Sequence, residues 1–156
     1  MKKSFSSLFL FIVCISFSYA QGYISKTIQY DGLIREYSIY VPASYDGTTN
    51  FPLLFNLHGG GGTNSVWQAS SDMRPIADTA DFILVYPQAR PDPSDGNSLN
   101  WLPKTAGTFD DVPFVQAMID SISVDYKVDS DRIYACGYSL GGEFAYELGC
   151  QLNHKI

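Results

Sequence analysis

One serine stands between two glycines in Gly137-Tyr138-Ser139-Leu140-Gly141. Before it, Ile133, Tyr134 and Cys136 suit a strand; after it, Phe144, Ala145 and Leu148 recur at helical spacing. A Gly-x-Ser-x-Gly at a strand-to-helix turn lifts a hydroxyl clear of a sheet, where it can act as a nucleophile. Side chains at Gly137 and Gly141 would strike the neighbouring strand and helix. Ser139 itself is expected to hold a strained backbone. The Leu140 amide, at the start of the new helix, would point at a forming oxyanion. Three fixed positions arise by chance in about 5 in 100 chains of this length. A glycine-rich helix start with a capping serine is therefore the competing reading of these five residues alone.

A second stretch speaks against that competitor. His58-Gly59-Gly60-Gly61 follows the apolar run Phe51–Leu57. A backbone bare of side chains lets amides approach a ligand oxygen closely, and a loop of this type after a strand forms half of an oxyanion hole. Gly60 is the first choice as donor and Gly61 the second, with Leu140 supplying the other amide. His58 reads as a residue that holds the loop by hydrogen bonds, because a base paired with Ser139 in this chain order would follow the serine. Trp101 reads equally as the wall of a substrate pocket or as packing, and Trp67 as core. Asp110 and Asp111 read as caps of the helix that follows them.

A serine nucleophile needs a base and an orienting acid. Fifteen residues follow Gly141. Glu143 and Glu147 lie on the elbow helix and are expected to face away from Ser139. His154 would stand about 22 Å from it if the helix continued. The expectation is a chain truncated after the elbow helix, the N-terminal half of a larger protein, with little hydrolysis of its own. The chemistry calls for no metal or organic cofactor.

The elements that must position these residues read as α/β. Tyr23–Tyr30 and Leu33–Pro42, joined by Asp31-Gly32, predict an antiparallel hairpin with one face buried. Phe51–Leu57 is a short, nearly continuous apolar run and Asp81–Pro87 another of buried type, and both predict strands covered on both faces. A helix is expected over 65–80, with Pro75 either interrupting it or starting its second half. Gln88–Gly107 reads as a long loop bordering a site. Val112, Val115, Met118, Ile119 and Ile122 form one helical stripe. The order predicts a mostly parallel sheet with flanking helices after the hairpin.

The 156 residues, 46% hydrophobic and 17% charged, suffice for one domain with a core. The net charge of −6, with no basic cluster beyond Lys2-Lys3, argues against nucleic acid as a partner. Lys2-Lys3, the apolar run Leu8–Phe17 and Ser18-Tyr19-Ala20 read as a signal peptide over residues 1–20. That predicts a secreted domain over 21–156, extracellular or periplasmic, with no membrane contact after cleavage. Of the remaining cysteines, Cys136 and Cys150 are expected as buried thiols, with a disulfide left open.

From about Ile28 to Leu152 the chain resembles the secreted esterases of the α/β-hydrolase superfamily grouped as polyhydroxybutyrate depolymerase, feruloyl esterase and acetylxylan esterase. The matching pieces are Arg35-Glu36-Tyr37, Tyr40-Val41-Pro42, Leu57 to Gly62, Val85-Tyr86-Pro87, Trp101, Asp110 to Phe114, and Asp131 through Gly142. The resemblance implies the α/β-hydrolase fold, Ser139 as nucleophile, and the glycine loop with Leu140 as oxyanion hole. It implies an ester substrate, polysaccharide-linked or polyester, and an acyl-serine intermediate. A serine peptidase of the same fold and a non-catalytic binding module are the alternative readings.

Overall fold

Strands covered on both faces need apolar residues at nearly every position, and the chain supplies two such runs. These are β3 (Phe51–Leu57) and β4 (Ile83–Pro87), the second buried at all five residues. The computed structural model describes residues 22–101 and 111–156. The signal-peptide reading of residues 1–20 and the capping reading of Asp110 lie outside the described residues.

The hairpin forms as its sequence requires. β1 (Ile24–Tyr30) and β2 (Leu33–Tyr40) pair antiparallel with Tyr30 opposite Leu33. Asp31 and Gly32 both take positive φ, 48° and 70°, the geometry of a tight two-residue hairpin loop. β2 then pairs antiparallel with β4, and β3 lies parallel between β4 and β7 (Val128–Gly137). The sheet order is β1-β2-β4-β3-β7. An antiparallel hairpin followed by parallel strands is the predicted arrangement. The expected single buried face of β2 is corrected, however. Tyr37, Ser38, Ile39 and Tyr40 are all buried, because β2 is an inner strand with helices over both faces.

The pleat divides the core in two. Leu53, Phe55, Leu57, Ile83 and Val85 face one side. There they meet Phe114, Val115 and Met118 of α3 (Val112–Asp125) and Phe144 and Leu148 of α4 (Leu140–Gln151). Leu84, Tyr86 and Tyr40 face the other side with Ala77, under α1 (Asn64–Ser70) and α2 (Arg74–Ala80). The helix expected over 65–80 is thus two short helices. Pro75 sits in the first turn of α2, where its missing amide is harmless.

Two further expectations change. The stretch read as a loop contains a hairpin, β5 (Arg90–Asp92) with β6 (Ser98–Asn100). Asp111 precedes α3 but makes no side-chain cap. Its carboxylate pairs with Arg35 Nη1 at 2.8 Å, both residues buried, and the Arg35 guanidinium lies 3.8 Å over the Phe114 ring. This pair ties β2 to the first turn of α3. Cys136 is half-buried and Cys150 exposed, so the pair of buried thiols is also corrected; both are free.

Candidate active site

β7 ends at Gly137 and α4 begins at Leu140, with Ser139 between them at φ 49° and ψ −123°. A non-glycine residue pays for such a backbone with about 1–3 kcal/mol, which the surrounding structure must hold in place. Packing shows how it does so. A Cβ on Gly141 would stand 2.5 Å from the Leu57 oxygen and would also run into the His58 oxygen. One on Gly137 would stand 2.5 Å from the Gly141 backbone. The helix start is pressed against the end of β3 at a distance only glycine allows. The Tyr138 amide donates to the Leu57 oxygen at 3.2 Å, locking the turn to that strand. Ser139 is left exposed at the crest.

The glycine loop faces it. A Cβ on Gly59 would lie 3.5 Å from the Ser139 Cβ, and one on Gly60 would lie 3.3 Å from the Leu140 side chain. Ser139, Gly60 and Leu140 line one cleft of about 310 Å³. Among the described residues, neither the Gly60 nor the Leu140 amide donates to a protein acceptor. Gly61 is different. It takes φ +70°, and its amide donates to the Leu99 oxygen at 2.9 Å. Its expected role as second-choice donor is corrected, because that hydrogen is already engaged.

His58 holds the loop, and the hydrogen bonds define its tautomer. The Ala89 amide donates to Nε2 at 3.2 Å, so Nε2 is an acceptor. Gln88 Nε2 stands 3.2 Å from the same atom. The ring proton is therefore on Nδ1, which donates to the Gly59 oxygen at 2.7 Å. Burial lowers the His58 pKa below its ordinary value and keeps the ring neutral. With Nε2 so engaged, His58 is a clamp on the loop and not a base for Ser139.

Trp101 is fully buried. Its ring stacks on Phe144 at 5.2 Å, and its Nε1 donates to the His58 oxygen at 2.6 Å. The pocket-wall reading is corrected: the side chain packs beneath the glycine loop and supports it from the core. Trp67, expected in the core, is half-buried. It stacks on Tyr138 at 5.7 Å and donates from Nε1 to Asn56 Oδ1 at 2.8 Å.

Sequence reasoning placed the 88–107 segment beside a site but named none of its lining residues. Asp95, Ser98 and Asn100, from the β5–β6 hairpin, line the cleft together with Ser139. The available signal was the length of the segment read as a loop. Glu143, expected to face away, also lines the cleft, although no hydrogen bond joins its carboxylate to Ser139 among the described residues. His154 follows the C-terminal end of α4, and the twelve residues of that helix span about 18 Å. Burial pushes the Cys136 thiol up, which removes it as a rival nucleophile. Among the described residues no group of three or more His, Cys, Asp or Glu could hold a metal ion. No described helix is long and apolar enough to cross a membrane. The arrangement is an exposed serine that shares a cleft with Gly60 and Leu140, two residues whose amides donate to no described protein acceptor.

No protein-family model matches the chain. Over 126 residues it is 31% identical to a bifunctional acetylxylan esterase/xylanase of Neocallimastix patriciarum, a match covering 80% of this chain and 17% of that protein. Over 122 residues it is 32% identical to feruloyl esterase B of Piromyces equi, covering 78% of this chain and 22% of that one. The chain thus spans about a fifth of the length of these two curated relatives. Among solved structures, a ferulic acid esterase superposes with a TM-score of 0.71 at 20% identity, covering 88% of this chain and 58% of that one. The strained serine, the glycine loop before it and the mixed sheet that carries both place this chain in the α/β-hydrolase fold, with sequence similarity to feruloyl and acetylxylan esterases.

Proposed function

We propose that Ser139 is the nucleophile of a secreted carboxylic ester hydrolase that works through an acyl-serine. Its Oγ attacks the ester carbonyl carbon and gives its proton to a base. The carbonyl oxygen becomes an oxyanion held by the Gly60 and Leu140 amides. Collapse of this intermediate expels the alcohol, which takes up the proton, and leaves the acyl group on Ser139. Water then attacks the acyl-serine by the same route and frees the acid. The base and its orienting acid are not among the described residues, so the reading assigns the nucleophile and the oxyanion donors only.

The observation that carries it is the contact distance between the glycine loop and the elbow. Gly59 would meet Ser139 at 3.5 Å if it bore a Cβ, while Ser139 holds a backbone that a capping serine does not need. The substrate classes in view are feruloyl or acetyl esters on polysaccharide, in keeping with the relatives' names, and polyesters. Secretion rests on the leader-like residues 1–20.

The test is a fluorophosphonate probe on the full-length protein. Labelling that disappears in Ser139→Ala, with turnover of an aryl ester but not of the matching anilide, supports the esterase. Turnover of both at similar rates points to a peptidase. No labelling at all points to a non-catalytic binding module.

A further inference from the structure

The cleft that Ser139 lines is chemically one-sided. Asn100 lines it and is 5% exposed. Its Nδ2 donates to Asp95 Oδ2 at 2.9 Å and to Asp92 Oδ2 at 3.4 Å. Only the nitrogen of a carboxamide can face two carboxylates, so the network decides which way the group is turned. Oδ1 is thereby directed at the loop, 3.1 Å from where a Cβ on Gly60 would lie, and it has no partner among the described residues. Asp95 and Glu143 line the same cleft, and among the described residues none of its lining is Lys, Arg or His. Beside the two oxyanion amides, then, the cleft offers hydrogen-bond acceptors and negative charge.

We infer that this cleft filters ester substrates by charge: it takes those presenting neutral hydroxyl groups and rejects those carrying a second anion near the scissile bond. Asn100 Oδ1 is the hydroxyl acceptor and Asp95 the charge barrier. The inference rests on the esterase reading above and narrows it. A carbonyl oxygen held in place at the cleft wall can accept a substrate hydroxyl in exchange for water, without reorganising. An anion brought near a carboxylate in a partly desolvated cleft is repelled. Esters of neutral sugars satisfy both conditions. Polyester fragments ending in a free carboxylate satisfy neither at that end.

The experiment uses the full-length protein and two pairs of esters matched in shape. One pair is an acetylated methyl glucoside and the corresponding acetylated methyl glucuronide. The other is p-nitrophenyl butyrate and p-nitrophenyl hydrogen succinate. In at least one pair, kcat/KM for the neutral member exceeds that for the anion by about tenfold, and Asp95→Asn shrinks the ratio at least threefold. The ratio cancels any general loss of activity in the variant. Asn100→Leu lowers kcat/KM for the glucoside ester about tenfold relative to p-nitrophenyl butyrate. Ratios near one in both pairs, or ratios that neither variant moves, overturn the inference. No turnover of either neutral ester overturns the esterase reading and this inference with it.

Discussion

The indole nitrogen of Trp101 donates to the main-chain oxygen of His58 at 2.6 Å, tying the residue after β6 to the residue that opens the glycine loop. The same ring stacks on Phe144 of α4. One buried side chain therefore contacts the loop, the elbow helix and the hairpin end, the three pieces that surround the cleft.

Replacing that side chain tests the arrangement. Trp101→Phe keeps part of the stack but leaves the His58 oxygen unsatisfied, at about 1–3 kcal/mol. Trp101→Ala adds a cavity and costs about 3–5 kcal/mol. Urea denaturation of each variant measures the difference. A cost below about 0.5 kcal/mol, as for a surface residue, would return Trp101 to the pocket wall.

The elbow glycines differ sharply from a glycine further along the same helix. Gly141→Ala and Gly137→Ala push a methyl into backbone oxygens and carbons that cannot move aside. Each is expected to destabilise by more than about 3 kcal/mol or to prevent folding. Gly149→Ala meets nothing within 4 Å and lies within α4. It is expected to stabilise by about 0.5–1 kcal/mol. Thermal melts of the three variants give the comparison.

The ion pair of Arg35 with Asp111 separates two accounts of the aspartate. As a helix cap, Asp111→Ala costs about 1 kcal/mol. As one half of a buried pair, its loss strands the Arg35 guanidinium and costs about 3–5 kcal/mol. The 2.8 Å contact and the lack of a side-chain cap favour the larger value. Chemical denaturation of the single variant distinguishes them.

His58 carries a pH dependence whose sign follows from its burial. Its pKa is lowered in the folded chain, so below about pH 6.5 the unfolded chain binds more protons. Its contribution to stability is intact above the unfolded pKa. It is lost progressively as pH falls from there toward the folded pKa. Protonation would also set an Nε2–H against the Ala89 amide, which now donates to that atom. Denaturation midpoints at pH 7.5 and 5.5 are expected to separate more for the wild type than for His58→Gln. Equal pH slopes in both would remove His58 as the source.

Much of this was legible because it is local. Alternation and turn chemistry mark the hairpin through Asp31 and Gly32, and nearly continuous apolar runs mark β3 and β4. The elbow is readable for the same reason. A strained serine flanked by two glycines reflects crowding within five residues of chain, and sterics at that range depend little on the rest of the fold. The placing of Leu140 and Gly60 beside Ser139 follows from the elbow and the bare loop. The break in the helix over 65–80 was marked by Pro75, but the hairpin inside the 88–107 loop was not legible, because three-residue strands leave almost no periodic signal.

What no local pattern could decide was the choice of distant partners. Gly60 and Gly61 are indistinguishable as sequence, yet the Leu99 oxygen takes the Gly61 amide and leaves that of Gly60, a residue lining the cleft, without a described protein acceptor. Trp101 is a wall or a buttress according to what lies 43 residues earlier, and Asp111 is a cap or an ion-pair partner according to an arginine 76 residues earlier. Asn100 turns its oxygen toward the loop only because two carboxylates hold its nitrogen. Backbone sterics and side-chain period act between neighbours in the chain. Hydrogen-bond and charge pairing act between neighbours in space, and folding alone brings those together.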